Sequence, residues 1–141
     1  MKQKIGIVAS EFNKEFVDGL VANCSRELRG KAVETVRVPG AYEIPFMVKR
    51  MLRRKDIAVV IAFGVIWQGK TAHADLIASA VTNNLMSLSL EFDKPVIHQV
   101  LDVANEKQAR ERCFGKKLNR GIEGAQAALA MLKILNLKTK Q

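Results

Sequence analysis

The apolar run Ile57-Ala58-Val59-Val60-Ile61-Ala62-Phe63 constrains this chain more than any other stretch. It is short, rich in β-branched residues and apolar at every position, which predicts a strand buried on both faces of a parallel sheet. After it come Gly64-Val65-Ile66-Trp67-Gln68-Gly69-Lys70-Thr71-Ala72-His73-Ala74-Asp75, and then Ile77, Val81, Leu85, Leu88 and Phe92 at helical spacing. This pattern predicts a strand ending at Gly64, a loop, and a helix starting near Ala74 with one face inward. Such a loop lies at the carboxyl edge of the sheet, where open α/β folds bind ligands. Gly69 permits close backbone approach, and the first helical turn offers N–H groups to an anion. His73, at the helix entrance, is a proton carrier suited to neutral pH.

The rest of the chain repeats the alternation of strand and helix. Lys4 to Ala9 reads as a buried strand, interrupted by Ser10-Glu11-Phe12-Asn13; Phe16, Leu20, Cys24 and Leu28 then step by four, and Gly30 closes that helix. Ala32 to Val38 alternates as a less covered strand ended by Pro39-Gly40. A helix follows from about Ile44-Pro45, with Ile44, Met47, Val48, Met51 and Leu52 as its stripe. Beyond Lys94-Pro95, Val96 to Leu101 predicts a fourth strand. Asn105 with Gln108 is a capping-box pattern for a short helix through Cys113, and Leu118, Ile122, Ala125, Leu129 and Leu132 predict the last helix. Strand then helix, four times over, predicts a four-stranded parallel sheet with helices on both faces, an α/β/α sandwich. The polar and aromatic candidates for chemistry, Phe12, Glu43, His73 and His98, then fall on loops at the strand ends.

A chain of 141 residues has the length of one domain, spanning residues 1–141. Cys24 and Cys113 lack metal-ligand spacing and fall within helical patterns, which suits a reduced, cytoplasmic protein and gives neither a catalytic role. The first apolar run is too short for a signal-peptide core, and no stretch approaches membrane-spanning length. The net charge of +9 gathers in Lys49, Arg50, Arg53, Arg54 and Lys55 at one helix end and in Lys116, Lys117, Arg120, Lys138 and Lys140. Cations at a helix C-terminus are favourable there in any case, so the first cluster reads as a solvated face. Without a zinc-ligand set or an RNA-binding aromatic motif, nucleic acid is a weak reading of that charge.

Each candidate has a plain structural reading. His73 could be a solvated first-turn residue, Glu43 a helix-dipole partner, Phe12 a core residue, Lys70-Thr71 an exposed loop, and Arg112 a surface partner of Glu111 or Asp102. Trp67, the single tryptophan, would close a pocket or pack against another subunit. The Gly-x-x-x-x-Gly-Lys-Thr string from Gly64 to Thr71 spells the phosphate loop of nucleotide hydrolases. That reading requires a helix beginning at the Lys-Thr pair, and Ala72-His73-Ala74-Asp75 delays it.

Several segments together carry a resemblance. Ile5 to Asn13, Val38-Pro39-Gly40-Ala41-Tyr42-Glu43-Ile44-Pro45, Gly64 through His73, and Asn105 to Arg112 followed by Asn119-Arg120-Gly121 resemble the 6,7-dimethyl-8-ribityllumazine synthase family in order and spacing. The resemblance covers essentially the whole chain. It implies a flavodoxin-like layered fold and condensation of 5-amino-6-(D-ribitylamino)uracil with 3,4-dihydroxy-2-butanone 4-phosphate, with no cofactor and no metal. It also implies pentamers or multiples of them, active sites between subunits, and riboflavin synthase as a partner protein.

Carried over by position, Phe12 would stack on the pyrimidine, while Ala41, Tyr42 and Glu43 would hold the ring and its ribityl chain. Val65, Ile66 and Trp67 would line the ring pocket. Lys70 and Thr71 would meet the phosphate with Arg112 of an adjacent subunit. His73 would transfer protons, and Arg120 would stand where the family places a basic residue. His98 takes a position usually given to an aromatic from the neighbour, Trp67 replaces a smaller apolar residue, and Lys70 replaces a small one. The chain begins almost at its first strand, without the leading strand many family members lend to a neighbour. An archaeal-type riboflavin synthase, and a non-catalytic flavin- or lumazine-binding or shell-forming protein, are the alternatives on the same fold.

Overall fold

The computed structural model describes residues 2–69 and 72–137. Along them run β1 (Lys4–Ser10), α1 (Lys14–Glu27), β2 (Val33–Val38), a 3-10 turn (Ala41–Glu43), α2 (Ile44–Leu52) and β3 (Ile57–Trp67). Then follow α3 (His73–Phe92), β4 (Val96–Val103), α4 (Glu106–Phe114) and α5 (Arg120–Ile134). The four strands make one parallel sheet in the order β2-β1-β3-β4. This is the three-layer α/β arrangement that the alternation of strand and helix predicts.

From Val59 onward, successive residues of β3 serve opposite layers. Val59, Ile61, Phe63 and Val65 pack with Phe16, Leu20 and Cys24 of α1, Cys113 of α4 and Ala125 and Leu132 of α5. Val60, Ala62 and Ile66 pack with Ile44, Val48 and Met51 of α2 and Val81 and Leu85 of α3. Each fully buried Val, Leu, Ile or Phe contributes about 1.5–3 kcal/mol relative to exposure, so β3 is the strand both cores share.

The strand is longer than its apolar run suggests. It continues through Gly64 to Trp67 because β4 accompanies it, Trp67 pairing with Val103 and Gln68 N–H donating to the Val103 carbonyl at 2.8 Å. Gly64 does not end the strand. A Cβ there would stand 3.2 Å from Ile44 Cδ1, 3.3 Å from Val100 Cγ1 and 3.4 Å from Ser10 Oγ, so this glycine serves close packing.

Local signals account for the element ends. Gly30, at φ 89°, takes the left-handed turn beyond α1. The Asn105 side chain accepts from Gln108 N–H at 2.9 Å and starts α4. Asn119 caps α5 by accepting from Ile122 N–H at 3.0 Å, which leaves Leu118 outside the helix and exposed rather than in its stripe. In the basic cluster after α2, Lys49, Arg50, Arg53 and Lys55 are exposed. Arg54 instead makes a bidentate pair with Glu34 at 2.7 and 3.0 Å and a second pair with Asp56 at 2.9 Å. Lys138 and Lys140 lie outside the described residues.

The contact between α1 and α5 depends on Gly121, where a Cβ would overlap the Leu20 carbonyl oxygen. Gly121→Ala should therefore lower stability by about 1–3 kcal/mol in urea unfolding, the usual cost of overpacking. A midpoint equal to that of the wild type would mean that the two helices separate without cost.

Candidate active site

The sheet edge from which α1, α2 and α3 depart is stepped. Glu11 N–H donates to the Val38 carbonyl at 2.7 Å and Phe12 N–H to the Pro39 carbonyl at 3.0 Å, which carries Phe12 alongside Gly40. The Glu43 carboxylate then accepts from Gly40 N–H at 2.9 Å and fixes the Ala41–Glu43 turn, with Tyr42 exposed at 68%. Across from these, α3 enters at His73. Phe12, Gly40, Ala41, Tyr42, Glu43, Val65, Ile66, Trp67, His73, Ala74 and Ile77 surround a cleft of 430 Å³. A second hollow of 610 Å³ shares Tyr42, His73 and Ile77 and continues over Leu76 and Ala80 of α3.

Phe12, Glu43 and His73, remote in sequence, are thus brought to one place, together with Ala41, Tyr42 and the 65–67 segment. Phe12 is 65% exposed, so it is a wall of the cleft and not a core residue. Lys70 and Thr71 lie outside the described residues. The helix beginning at His73 and the strand running to Trp67 do not match the strand-loop-helix geometry of a nucleotide-hydrolase phosphate loop.

Three candidates stand away from this cleft. Arg112 is in the last turn of α4 and Arg120 is the first residue of α5. Arg112 Nη1 and Arg120 Nε are buried and have no hydrogen-bond partner among the described residues, while Arg120 Nη1 pairs with Glu123 at 3.5 Å; among the described residues Arg112 makes no ion pair with Glu111 or Asp102. His98 is not at a strand end. Because β4 runs from Val96 to Val103, His98 sits near its start, on the outer edge of the sheet. There its Nδ1 accepts from Val100 N–H at 3.1 Å, and Nε2 lies 2.7 Å from Thr82 Oγ1 on α3. With Nδ1 accepting, the neutral ring carries its proton on Nε2 and donates to the threonine. Although the residue is exposed, partial desolvation of its ring against α3 holds this imidazole below the usual histidine range.

Two features escaped the sequence reading. Trp67 is the last residue of β3 rather than part of a loop, and it packs within its own chain. Its ring meets Phe16 edge-on, with centroids 5.5 Å apart and planes at 87°. Its Nε1–H donates to Asn13 Oδ1 at 2.9 Å, and Asn13 Nδ2–H donates to the Val65 carbonyl at 2.6 Å. Asn13 sits at φ 58°, a conformation asparagine tolerates better than most residues; an asparagine just before a helical stripe was its only sequence signal. Cys24 and Cys113 are buried, and burial pushes both thiols up to about 12, which suits core packing and not nucleophilic work.

The model of the 6,7-dimethyl-8-ribityllumazine synthase family matches residues 2–136. The chain belongs to the 6,7-dimethyl-8-ribityllumazine synthase family. Among its relatives is a protein of Aquifex aeolicus (strain VF5) named 6,7-dimethyl-8-ribityllumazine synthase. It is 41% identical over 136 residues, a match covering 93% of this chain and 88% of the relative. A protein of the same name from Coxiella burnetii (strain CbuG_Q212) is 31% identical over 137 residues, covering 94% of this chain and 91% of the relative. Lumazine synthases are transferases, and the cleft has the open, mostly apolar walls that a small heteroaromatic substrate requires. Among the described residues, no helix is long and apolar enough to cross a membrane.

The His98 contacts imply a pH dependence. A histidine held below its unfolded pKa binds fewer protons when folded, so stability falls as the pH drops through the unfolded value of ~6.5 toward the folded one. His98→Gln should flatten the change in urea midpoint between about pH 7 and pH 5 relative to the wild type. Parallel curves for the two proteins would show that His98 titrates as it does in the unfolded chain.

Proposed function

We propose that the cleft is the site where 5-amino-6-(D-ribitylamino)uracil and 3,4-dihydroxy-2-butanone 4-phosphate condense to 6,7-dimethyl-8-ribityllumazine, the penultimate step toward riboflavin. The observation that carries this reading is the convergence of Phe12, Glu43 and His73 on one cleft in a chain of this family. Phe12 offers an exposed ring face for stacking on the pyrimidine. Glu43 spends one oxygen on Gly40 N–H, leaving the other to accept from a ribityl hydroxyl. Ala41, Tyr42 and the Val65-Ile66-Trp67 edge border the ring and its side chain.

The reaction needs protons moved and charge neutralised. The amine adds to the ketone, water leaves, phosphate is eliminated, the ring closes and a second water departs. His73, beside the cleft, takes a proton from the adding amine and returns one to a departing hydroxyl. Binding both substrates in one cleft supplies the orientation. Lys70, Thr71 and the Gly69 backbone hold the phosphate together with Arg112 of an adjacent copy. A desolvated guanidinium N–H without an acceptor is costly by about 1–3 kcal/mol, and the partnerless Arg112 Nη1 and Arg120 Nε support an anion as the missing acceptor.

The same reading makes the protein a homo-oligomer, a pentamer or a multiple of it. Supporting this, α3 exposes Leu76, Met86 and Leu90, the last at 75%, along the side on which the cleft continues. His98, exposed on the outer edge of β4, is the ring that one copy would lay over the pyrimidine bound to the next. The chain acts as one domain over residues 1–141 in the cytoplasm, and its product passes to riboflavin synthase.

Purified protein given both substrates should release lumazine, followed by fluorescence, and phosphate in equal amounts. Silence from a folded oligomer would favour a binding or shell-forming protein instead. His73→Ala should lower kcat by roughly 10²-fold, leaving the activity that orientation and water sustain, and an unchanged rate would remove His73 from the mechanism. Arg112→Ala should raise KM for the ketone phosphate more than for the pyrimidine; equal losses would contradict its assignment to the phosphate.

A further inference from the structure

Where β1 stops, β3 goes on, and one side chain spans the gap. The last residue of β1 set opposite β3 is Ala9, facing Phe63. Even-numbered peptides of β3 turn toward β4, as Val60 N–H and Gln68 N–H do in donating to Pro95 and Val103, so the peptides of Val65 and Trp67 turn the other way, past the end of β1. Asn13 fills that space, donating to the Val65 carbonyl at 2.6 Å and accepting from the Trp67 indole at 2.9 Å. Both bonds need an amide, since a carboxylate lacks the donor and a hydroxyl is too short to span them.

The indole is therefore held from two sides, by Asn13 and by the edge-on contact with Phe16. Val65 and Trp67 share the layer of α1, whereas Ile66 faces α2 and α3. Segment 65–67 borders the cleft, while the Trp67 ring, the largest side chain of the chain, packs on the α1 side against Phe16. Released from Asn13, that ring has the cleft of 430 Å³ beside it.

Building on the lumazine synthase reading, we propose that Asn13 is a positioning residue for the pyrimidine substrate: it anchors the Trp67 indole and the end of β3 so that the cleft keeps the width of a flat ring. The effect is on binding of the pyrimidine, and the ketone phosphate and the proton transfers at His73 do not depend on it. Asn13 acts through Trp67, which makes the coupling between the two residues the quantity to measure.

The test is a double-mutant cycle on the assembled, full-length protein. Wild type, Asn13→Gly, Trp67→Phe and the double variant are titrated calorimetrically with 5-amino-6-(D-ribitylamino)uracil. Glycine accepts the φ of 58° at position 13, so the variant removes both bonds without backbone strain. Asn13→Gly should weaken pyrimidine binding about tenfold in the Trp67 background and by less than about threefold in the Trp67→Phe background. Its KM for the pyrimidine should rise while kcat at saturation holds, and emission from the single tryptophan should shift toward that of a solvated indole. Asn13→Asp, which keeps the acceptor for the indole, should leave that emission at the wild-type position. Equal weakening in both backgrounds, or unchanged emission in Asn13→Gly, would overturn the proposal. A wild type that does not bind the pyrimidine at all would instead overturn the functional reading on which the proposal rests.

Discussion

Everything at the cleft depends on β3 having helices packed on both faces and strands of unequal length on its two sides. Burial on both faces fixes its register, because a slip of one residue would exchange the sets of side chains that serve the two layers. On one side β4 accompanies it to Trp67; on the other, β1 ends opposite Phe63. That inequality makes a step at the carboxyl edge of the sheet. Asn13 fills the step, and the turns after β1 and β2 supply the walls of the cleft beside it through the Phe12 and Glu43 contacts.

The layers and their stripes were legible because burial imposes a period that the residues must follow. Phe16, Leu20, Cys24 and Leu28 step by four, and all face the core their spacing predicts. Phe12, Glu43 and His73 were legible as edge residues because each follows a strand closely. The extent of β3 was not: Gly64 looks like a stop, yet it is a glycine because Ile44, Val100 and Ser10 crowd it. The anchor of Trp67 was hidden for a related reason, since Asn13 lies 54 positions away and no local period joins them. His98 was misplaced because it was grouped with the loop residues although it lies inside the run from Val96 that forms β4, where its ring turns to Thr82 of α3, a contact no local pattern announces.

Charge follows the same division between local and long-range causes. Arg54 sits at a helix end where a cation is favourable anyway, but its two carboxylate partners come from β2 and from the turn before β3. Its guanidinium also holds the Glu34 carboxyl below the usual carboxylate range. This network secures the edge of the sheet opposite the cleft. Arg112 and Arg120 are less fully satisfied: each has a buried N–H that no described acceptor meets, although Arg120 Nη1 also pairs with Glu123 at 3.5 Å, and such an N–H suits a group that meets an anion or a neighbouring copy.

A crystal structure of the assembled protein with 5-amino-6-(D-ribitylamino)uracil bound would test most directly whether the cleft beside β3 is the reacting site. The ring should lie against Phe12 along the edge of residues 65–67, with its ribityl chain at Glu43 and Arg112 of an adjacent copy facing the His73 side. A ring bound elsewhere, or Arg112 of every copy remote from the cleft, would contradict the account.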